Sequence, residues 1–403
     1  MIKRCLIIGG INPNDKSIEK YTETQRANQA ANSRWMWNLI KGFEAEGFEV
    51  SVLNTPNIPS YQEDHICKYH QGYFWHHNEN AEDYCISFCN LFPLSIISRK
   101  NQINKYLKKW LKNTDGYKVV IGITPHFPIV YNLNKYAPKV ETCLVVPDLP
   151  EYTGASRKGN AIYRLLKGID IQLFYKSIKN INSFVILTDE MKNKLGRNKN
   201  YLRIECMIDP ELANYQKTLK ASADNELTIL YSGTISENYG VYDVAKAIHE
   251  SNMKCVFYIC GDGTGVKKLK NDFSDDDRIQ YLGSISPEKV IALQRKVDVL
   301  INPRPNDGSE YLLYSFPSKT LEYLAAAKPV ICHKLPSIPD EYDPYLFYLK
   351  DNTVKSVTDM ISRMMNMTEE ERNAIGYRNR DFIVENKNYC VQAKKIATFL
   401  SRE

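Results

Sequence analysis

No stretch of this 403-residue sequence stays apolar for the ~20 residues that a membrane-spanning helix needs, so no such helix is expected. The opening Met1-Ile2-Lys3-Arg4 runs straight into a strand-like segment and does not read as a signal peptide. Nor is there a disulfide framework. The ten cysteines are scattered, and Cys5, Cys143, Cys255, Cys260 and Cys332 fall within apolar runs that read as buried strands. That pattern fits reduced thiols and a cytosolic protein. No repeat of short period and no low-complexity tract is present. The net charge of +6 is mild and makes no case for nucleic acid as a partner. Its distribution is uneven, because residues 101–205 carry about ten more Lys and Arg than Asp and Glu.

What is present is an alternation of short apolar runs and helix-length segments, the pattern of an α/β protein with parallel sheets. The length is too great for one ordinary core and suits two domains. The first half holds strand candidates at Cys5–Ile8, Val50–Leu53, Val119–Ile123, Thr142–Val146 and Phe184–Leu187. The second holds Thr228–Tyr231, Val256–Cys260, Ile279–Leu282, Val297–Ile301 and Val330–Cys332. Helices are expected over Thr24–Glu46, Val241–Glu250 and Pro287–Lys296, and again from about Glu369 to Glu403. The chain from Arg203 to Asn225 reads as the connection between domains.

The most informative segment is Tyr314-Ser-Phe-Pro-Ser-Lys-Thr-Leu-Glu-Tyr-Leu-Ala-Ala-Ala-Lys-Pro-Val-Ile331. It reads as a loop, a helix entered through Pro317, a tight turn and a buried strand. Ser318, Lys319 and Glu322 lie within about one turn at the helix opening. Free N–H groups, the helix dipole and the Lys319 charge suit an anion there, and Glu322 one turn on suits a sugar's vicinal hydroxyls. The spacing equally fits a capped amphipathic helix with a solvated lysine and glutamate.

That segment resembles the donor-binding signature of glycosyltransferase family 4, of the GT-B fold, in the form found among capsule and exopolysaccharide transferases. Ala327 stands where the family has glycine. Further pieces follow in the family's order: Leu227–Thr234 as strand and phosphate loop, Phe257–Gly263 as its glycine turn, Tyr281-Leu282-Gly283, Ser286-Pro287-Glu288, and Val297–Arg304. The resemblance implies two Rossmann-like domains facing a central cleft. An acceptor-side domain would occupy residues 1–206 and a nucleotide-sugar domain 207–380, with a C-terminal helix over 381–403 returning to the first. It also implies a retaining transfer with no cofactor and no metal, the nucleotide sugar serving as donor substrate. The donor site would then comprise Gly233, Thr234, Gly261, Gly263, Arg304, Ser315, Phe316, Ser318, Lys319 and Glu322.

Two departures stand out. The phosphate-binding Arg and Lys of many members are here Thr234 and Tyr239, which leaves Lys319 and Arg304 as the available cations. The first carboxylate of the family's E-x7-E motif is Tyr314. The Gly261–Gly265 run superficially resembles a dinucleotide fingerprint but lacks the acidic ribose partner that would follow it.

On the acceptor side the family resemblance points to His126, just past a strand end, as a catalytic residue facing the transferred sugar. Asp148, past the next strand, would bind sugar hydroxyls, orient His126 or cap a turn. Gly9 and Gly10 would admit the acceptor, with Arg26 as a further candidate. His65, Cys67, His70, His76 and His77 cluster without a standard zinc spacing, and the surrounding aromatics suggest an acceptor loop instead. Ile96–Leu111 forms a basic amphipathic pattern. Ile96, Ile103, Leu107, Trp110 and Leu111 share one face, and Arg99, Lys105, Lys108 and Lys109 lie on the other. Such a helix suits an anionic membrane surface at the inner face of the cell membrane, or simply a solvated helix face.

The reading is a glycosyltransferase acting on a glycan or lipid-linked acceptor in polysaccharide biosynthesis. The alternatives are a sugar-nucleotide epimerase of the same fold and an inactive transferase-like scaffold.

Overall fold

The computed structural model describes residues 2–13, 30–56, 58, 61, 67–153, 161–213 and 226–401. The chain divides into two compact units, Met1–Met207 with Tyr389–Glu403, and Ile208–Asn388.

Unit 1 is built on an eight-stranded sheet. Its elements run β1 (Lys3–Gly9), α1 (Ala30–Ala45), β2 (Phe48–Asn54), β3 (Tyr69–His70), β4 (Tyr73–Trp75), β5 (Asp83–Cys85), β6 (Phe88–Cys89) and α2 (Leu94–Asn113). There follow β7 (Tyr117–Ile123), α3 (Phe127–Tyr136), β8 (Glu141–Val146), α4 (Ala161–Ser177), β9 (Ser183–Ile186), α5 (Met191–Leu195) and β10 (Asn200–Arg203). The sheet order is β10-β9-β8-β7-β1-β2-β5-β4. Every pairing is parallel except β4 with β5 at the edge. The central strands are buried on both faces, which is why their sequences read as unbroken apolar runs. Strand order reverses between β1 and β7, so a crevice opens beyond their carboxyl ends.

The segment read as an acceptor loop is structured. Residues 69–89 form β3 to β6, with β3 paired to β6 and β4 extending the main sheet through β5. Trp75 and Asp83 are buried, whereas Tyr69 and Phe74 project into solvent.

Unit 2 contains β11 (Leu227–Ser232), α6 (Val241–His249), β12 (Cys255–Cys260), α7 (Val266–Phe273), β13 (Ile279–Gly283), α8 (Pro287–Lys296) and β14 (Val299–Asn302). It continues with α9 (Tyr311–Tyr314), α10 (Lys319–Ala325), β15 (Val330–His333), β16 (Phe347–Leu349), α11 (Val354–Met365) and α12 (Glu369–Asn386). The strands lie in the order β13-β12-β11-β14-β15-β16, all parallel, and the order reverses between β11 and β14. This is the doubly wound arrangement, in which a ligand sits beyond the β11 and β14 carboxyl ends.

The C-terminal helix expected from Glu369 is two helices. A capping box of Thr368 and Glu371 starts α12, which stays with unit 2. The Lys387 carbonyl then accepts the Ile208 N–H at 3.0 Å, so unit 2 closes where it begins. Only α13 (Tyr389–Ser401) belongs to unit 1, a boundary eight residues later than the sequence suggested. Its Ala393, Ile396 and Leu400 join Met36, Leu39, Ile40 and Phe43 of α1 in one buried cluster.

Two features of α2 differ from expectation. Ile103, Leu107 and Trp110 are buried in the core, so the apolar stripe is a packing face and cannot enter a bilayer. Arg99 does not join the outward basic face: its guanidinium lies 3.6 Å over the Phe88 ring, and Nη1 donates to the Pro56 carbonyl at 2.8 Å. Lys105, Lys108 and Lys109 are exposed.

Candidate functional site

In unit 2 the end of β11 is tied down from several sides. The Ser232 N–H donates to the Tyr323 hydroxyl at 2.8 Å, and the Gln294 amide donates to the Ser232 hydroxyl at 3.2 Å. Lys319 Nζ donates to the Ser232 carbonyl at 2.5 Å. A Cβ placed on Gly233 would stand 2.6 Å from both Cε and Nζ of Lys319 and 3.0 Å from the Tyr231 hydroxyl. A side chain there would push the Lys319 ammonium aside, and that ammonium is held directly against the loop that follows the strand. Tyr323 and Gln294 were not singled out from the sequence. Tyr323 sits inside the conspicuous motif but reads as a core ring, and it is fully buried. Burial raises its hydroxyl pKa well above the ordinary value.

The neighbouring loops pack onto the same point. Gly261 has φ 136°, and a Cβ on it would collide with the Gly233 carbonyl. Gly263 likewise lies against Ile235. These two glycines are therefore required by loop-on-loop packing, and the Gly233 N–H is itself taken up by the Cys260 carbonyl at 2.8 Å. Thr234 is exposed and its carbonyl accepts from the Tyr231 hydroxyl at 2.7 Å. Arg304, just past β14, lies 5.6 Å from the Tyr239 ring and 5.0 Å from that of Tyr311. The guanidinium thus lies between two aromatic rings, beside Tyr239.

The helix itself differs from expectation. It begins at Lys319, has seven residues and is not capped by the Ser318 side chain. Pro317 precedes it. Its dipole is short, so the Lys319 charge is the larger contribution. Ser315 and Phe316 are buried, the latter packed 5.6 Å from the Tyr342 ring, while Ser318 is exposed and Glu322 half-buried. The Tyr314 hydroxyl donates to the Glu310 carboxylate at 3.2 Å.

In unit 1 two polar side chains past the strand ends, His126 and Asp148, have no hydrogen-bond partner among the described residues, whereas Asn54 at the end of β2 is bonded twice to Ile11. His126 starts α3, and its ring has no hydrogen-bond partner among the described residues. Crowding by protein, with repulsion from Arg99 and Lys167, lowers its pKa to about 4, although water still reaches the ring. The imidazole is neutral at neutral pH. Asp148, half-buried past β8, is pushed up to about 6 by desolvation. No hydrogen bond joins it to His126 among the described residues. Thr124, two residues before His126, holds φ 135°, a strained value for a β-branched residue. Gly9 packs against Met36, its carbonyl accepts the Thr55 N–H at 2.7 Å, and Gly10 is buried beside it. Arg26 and His65 lie outside the described residues.

The histidine cluster forms no metal centre among the described residues. His70 Nδ1 donates to the Ile86 carbonyl, and His76 bonds to Ala81. His77 bridges Asp83 at 2.7 Å and Glu44 at 3.2 Å.

Residues 216–382 match the family described as glycosyl transferases group 1, so unit 2 carries a glycosyltransferase domain. Solved structures extend the likeness to the whole chain. The sucrose-phosphate synthase from Thermosynechococcus elongatus is 13% identical, covers 99% of each chain and has a TM-score of 0.67. The α,α-trehalose-phosphate synthase (UDP-forming) from Burkholderia xenovorans, solved with glucose-6-phosphate, is 11% identical over 98% of this chain and 100% of that one, with a TM-score of 0.64. HepE of Anabaena, solved with UDP, is 11% identical over 99% and 100%, with a TM-score of 0.60. At such identities the likeness is one of fold, and the fold is GT-B. No curated protein matches the chain by sequence.

Proposed function

We propose that this glycosyltransferase moves a sugar from a nucleotide-sugar donor bound by unit 2 to a glycan or lipid-linked acceptor bound by unit 1. The observation that carries the reading is Lys319, held under Gly233 beyond the β11 strand end in the matched domain. An ammonium there meets the diphosphate of a nucleoside diphosphate, Arg304 adds a second cation, and Glu322 accepts from the ribose hydroxyls. No metal or cofactor enters this scheme. The transfer is retaining, with the departing phosphate oxygen taking the acceptor's proton on the same face, so no separate strong base is needed. Neutral His126 then faces the sugar as a hydrogen-bonding group.

The physiological setting we infer is cytoplasmic assembly of a capsule or other cell-surface polysaccharide, at the membrane's inner face. Phe92, Leu94 and Ile97 are 41%, 52% and 52% exposed at the start of α2, and Lys105, Lys108 and Lys109 are exposed further along it. This combination suits shallow contact with an anionic bilayer. Among the described residues no helix is long and apolar enough to cross one.

A thermal-shift screen of nucleotides and nucleotide sugars, starting with UDP, tests the donor assignment. Turnover of the stabilising donor then separates the three readings: sugar transfer supports this one, epimerisation with release of free nucleotide supports the epimerase, and binding without turnover supports the scaffold. Vesicle sedimentation that ignores anionic lipid at low salt would remove the membrane contact alone.

A further inference from the structure

Unit 1 contains a second recess, at the opposite end of its sheet from the strand-end crevice. A cavity of about 880 Å³ opens beside the first half of β2 and is lined by Phe48, Glu49, Val50 and Ser51. It exists because the sheet is incomplete there. β5 pairs only with Leu53 and Asn54 of β2, and β4 pairs only with β5. Phe48 to Ser51 therefore have β1 on one side and, among the described residues, no strand on the other. The hairpin loop 76–82 and the later turns of α1 and α2 surround the gap.

The direction of the open edge follows from its neighbours. The Val52 N–H donates to the Asp83 carboxylate at 2.8 Å, and the Asn54 carbonyl accepts the Ile86 N–H at 3.0 Å, both on the side away from β1. Main-chain groups alternate sides along a strand, so the N–H and carbonyl of Val50 also face the gap. Val50 is 6% exposed, and no described residue takes up either group. Buried main-chain groups are almost always paired, and an open strand edge is a template for another strand.

The rim selects the chemistry of the occupant. Glu79 and Glu82 line the cavity, are exposed, and have no ion-pair partner among the described residues. Arg4 is the only cation in the lining, and it is occupied by the Glu49 carboxylate at 2.8 Å and the Asp115 carbonyl at 2.6 Å. The Tyr106 ring, stacked 5.8 Å from that of Tyr84, and the buried Trp110 add aromatic faces. Carboxylates and rings around an open strand edge suit an extended segment with basic side chains. A bare polyamine would meet the carboxylates but offers donors only, and would leave the Val50 N–H unanswered.

We propose that this recess docks an extended basic peptide of a partner protein, which adds as a short strand beside Phe48–Ser51 of β2. The crevice lies beyond the other end of the same strand, at Asn54, so the partner is neither donor nor acceptor. The inference stands whether or not the transferase reading holds.

The test is fluorescence anisotropy of the full chain with a labelled, capped hexapeptide of alternating lysine and valine. It is compared with a glutamate–valine counterpart, with the same peptide N-methylated throughout, and with spermine as competitor. The lysine peptide should bind at least about tenfold tighter than either altered peptide, since one has the wrong charge and the other cannot donate from its main chain. Spermine should compete at least about tenfold more weakly than the unlabelled peptide. Amide hydrogen exchange across residues 48–51 should slow in the complex. Glu79→Gln combined with Glu82→Gln should weaken the peptide about tenfold and leave UDP binding unchanged. Both carboxylates are exposed, so their loss spares the fold. Failure of the lysine peptide to bind, equal binding of the N-methylated peptide, spermine as effective as the peptide, or binding that survives the double substitution overturns the proposal.

Discussion

The strand-end crevices of the two units are wired in opposite ways. In unit 2 the polar groups are bonded to one another: Lys319, Tyr323 and Gln294 all converge on Ser232 at the end of β11. In unit 1 two groups past the strand ends lack such bonds among the described residues. The His126 ring has no partner among the described residues, Asp148 carries a raised pKa, and Thr124 keeps a strained backbone. A pocket for an invariant nucleotide gains from pre-organisation, since the ligand then orders little on binding.

The largest test of this contrast is His126→Ala. Turnover should fall by about a hundredfold, or about 2.7 kcal/mol, while UDP affinity hardly changes. Unchanged turnover would make the histidine a structural group and remove the functional content of the unit 1 crevice.

Next comes Lys319→Ala, which should weaken UDP far more than uridine, by about 1.5–3 kcal/mol. Glu322→Ala should weaken both ligands alike. Small, equal losses across uridine, UMP and UDP in both variants would move the donor away from this helix.

A smaller effect is predicted at Asp148. Its folded pKa is about 6 against an ordinary 3.8, so the native state holds this proton more tightly than the unfolded chain does. Stability from this group is then present below pH 4 and falls as pH rises through 6, by about 1–2 kcal/mol after allowance for partial exposure. Asp148→Asn should raise Tm at pH 7 and leave it little changed at pH 4. A variant less stable than wild type at pH 7 would show the carboxylate to be paired rather than open.

The smallest sharpening lies in unit 2. Ala327, just past α10, holds φ 57°, the left-handed conformation that favours glycine. Ala327→Gly should add about 0.5–1 kcal/mol of stability, seen as a higher midpoint in urea, with UDP binding unaltered.

What was legible in the sequence follows the distance between residues along the chain. The parallel sheets could be read because their strands are buried on both faces and therefore uniformly apolar. The places of Lys319, Glu322 and the loop glycines in the fold could be read because one short helix and two tight turns hold them, and local geometry is written in neighbouring residues. The ends of α12 and α13 were merged, since both are helical and only the bond from Ile208 to Lys387 separates them.

Tertiary structure alone decided the remainder. Ser232 and Tyr323 are 91 residues apart and meet only because β11 and α10 pack together. Arg99 looked like one more charge on a basic helix until Phe88 and the Pro56 carbonyl turned it inward. Helical periodicity names the face that is apolar. It does not say whether a core or a bilayer covers that face, because both reward the same removal of hydrocarbon from water.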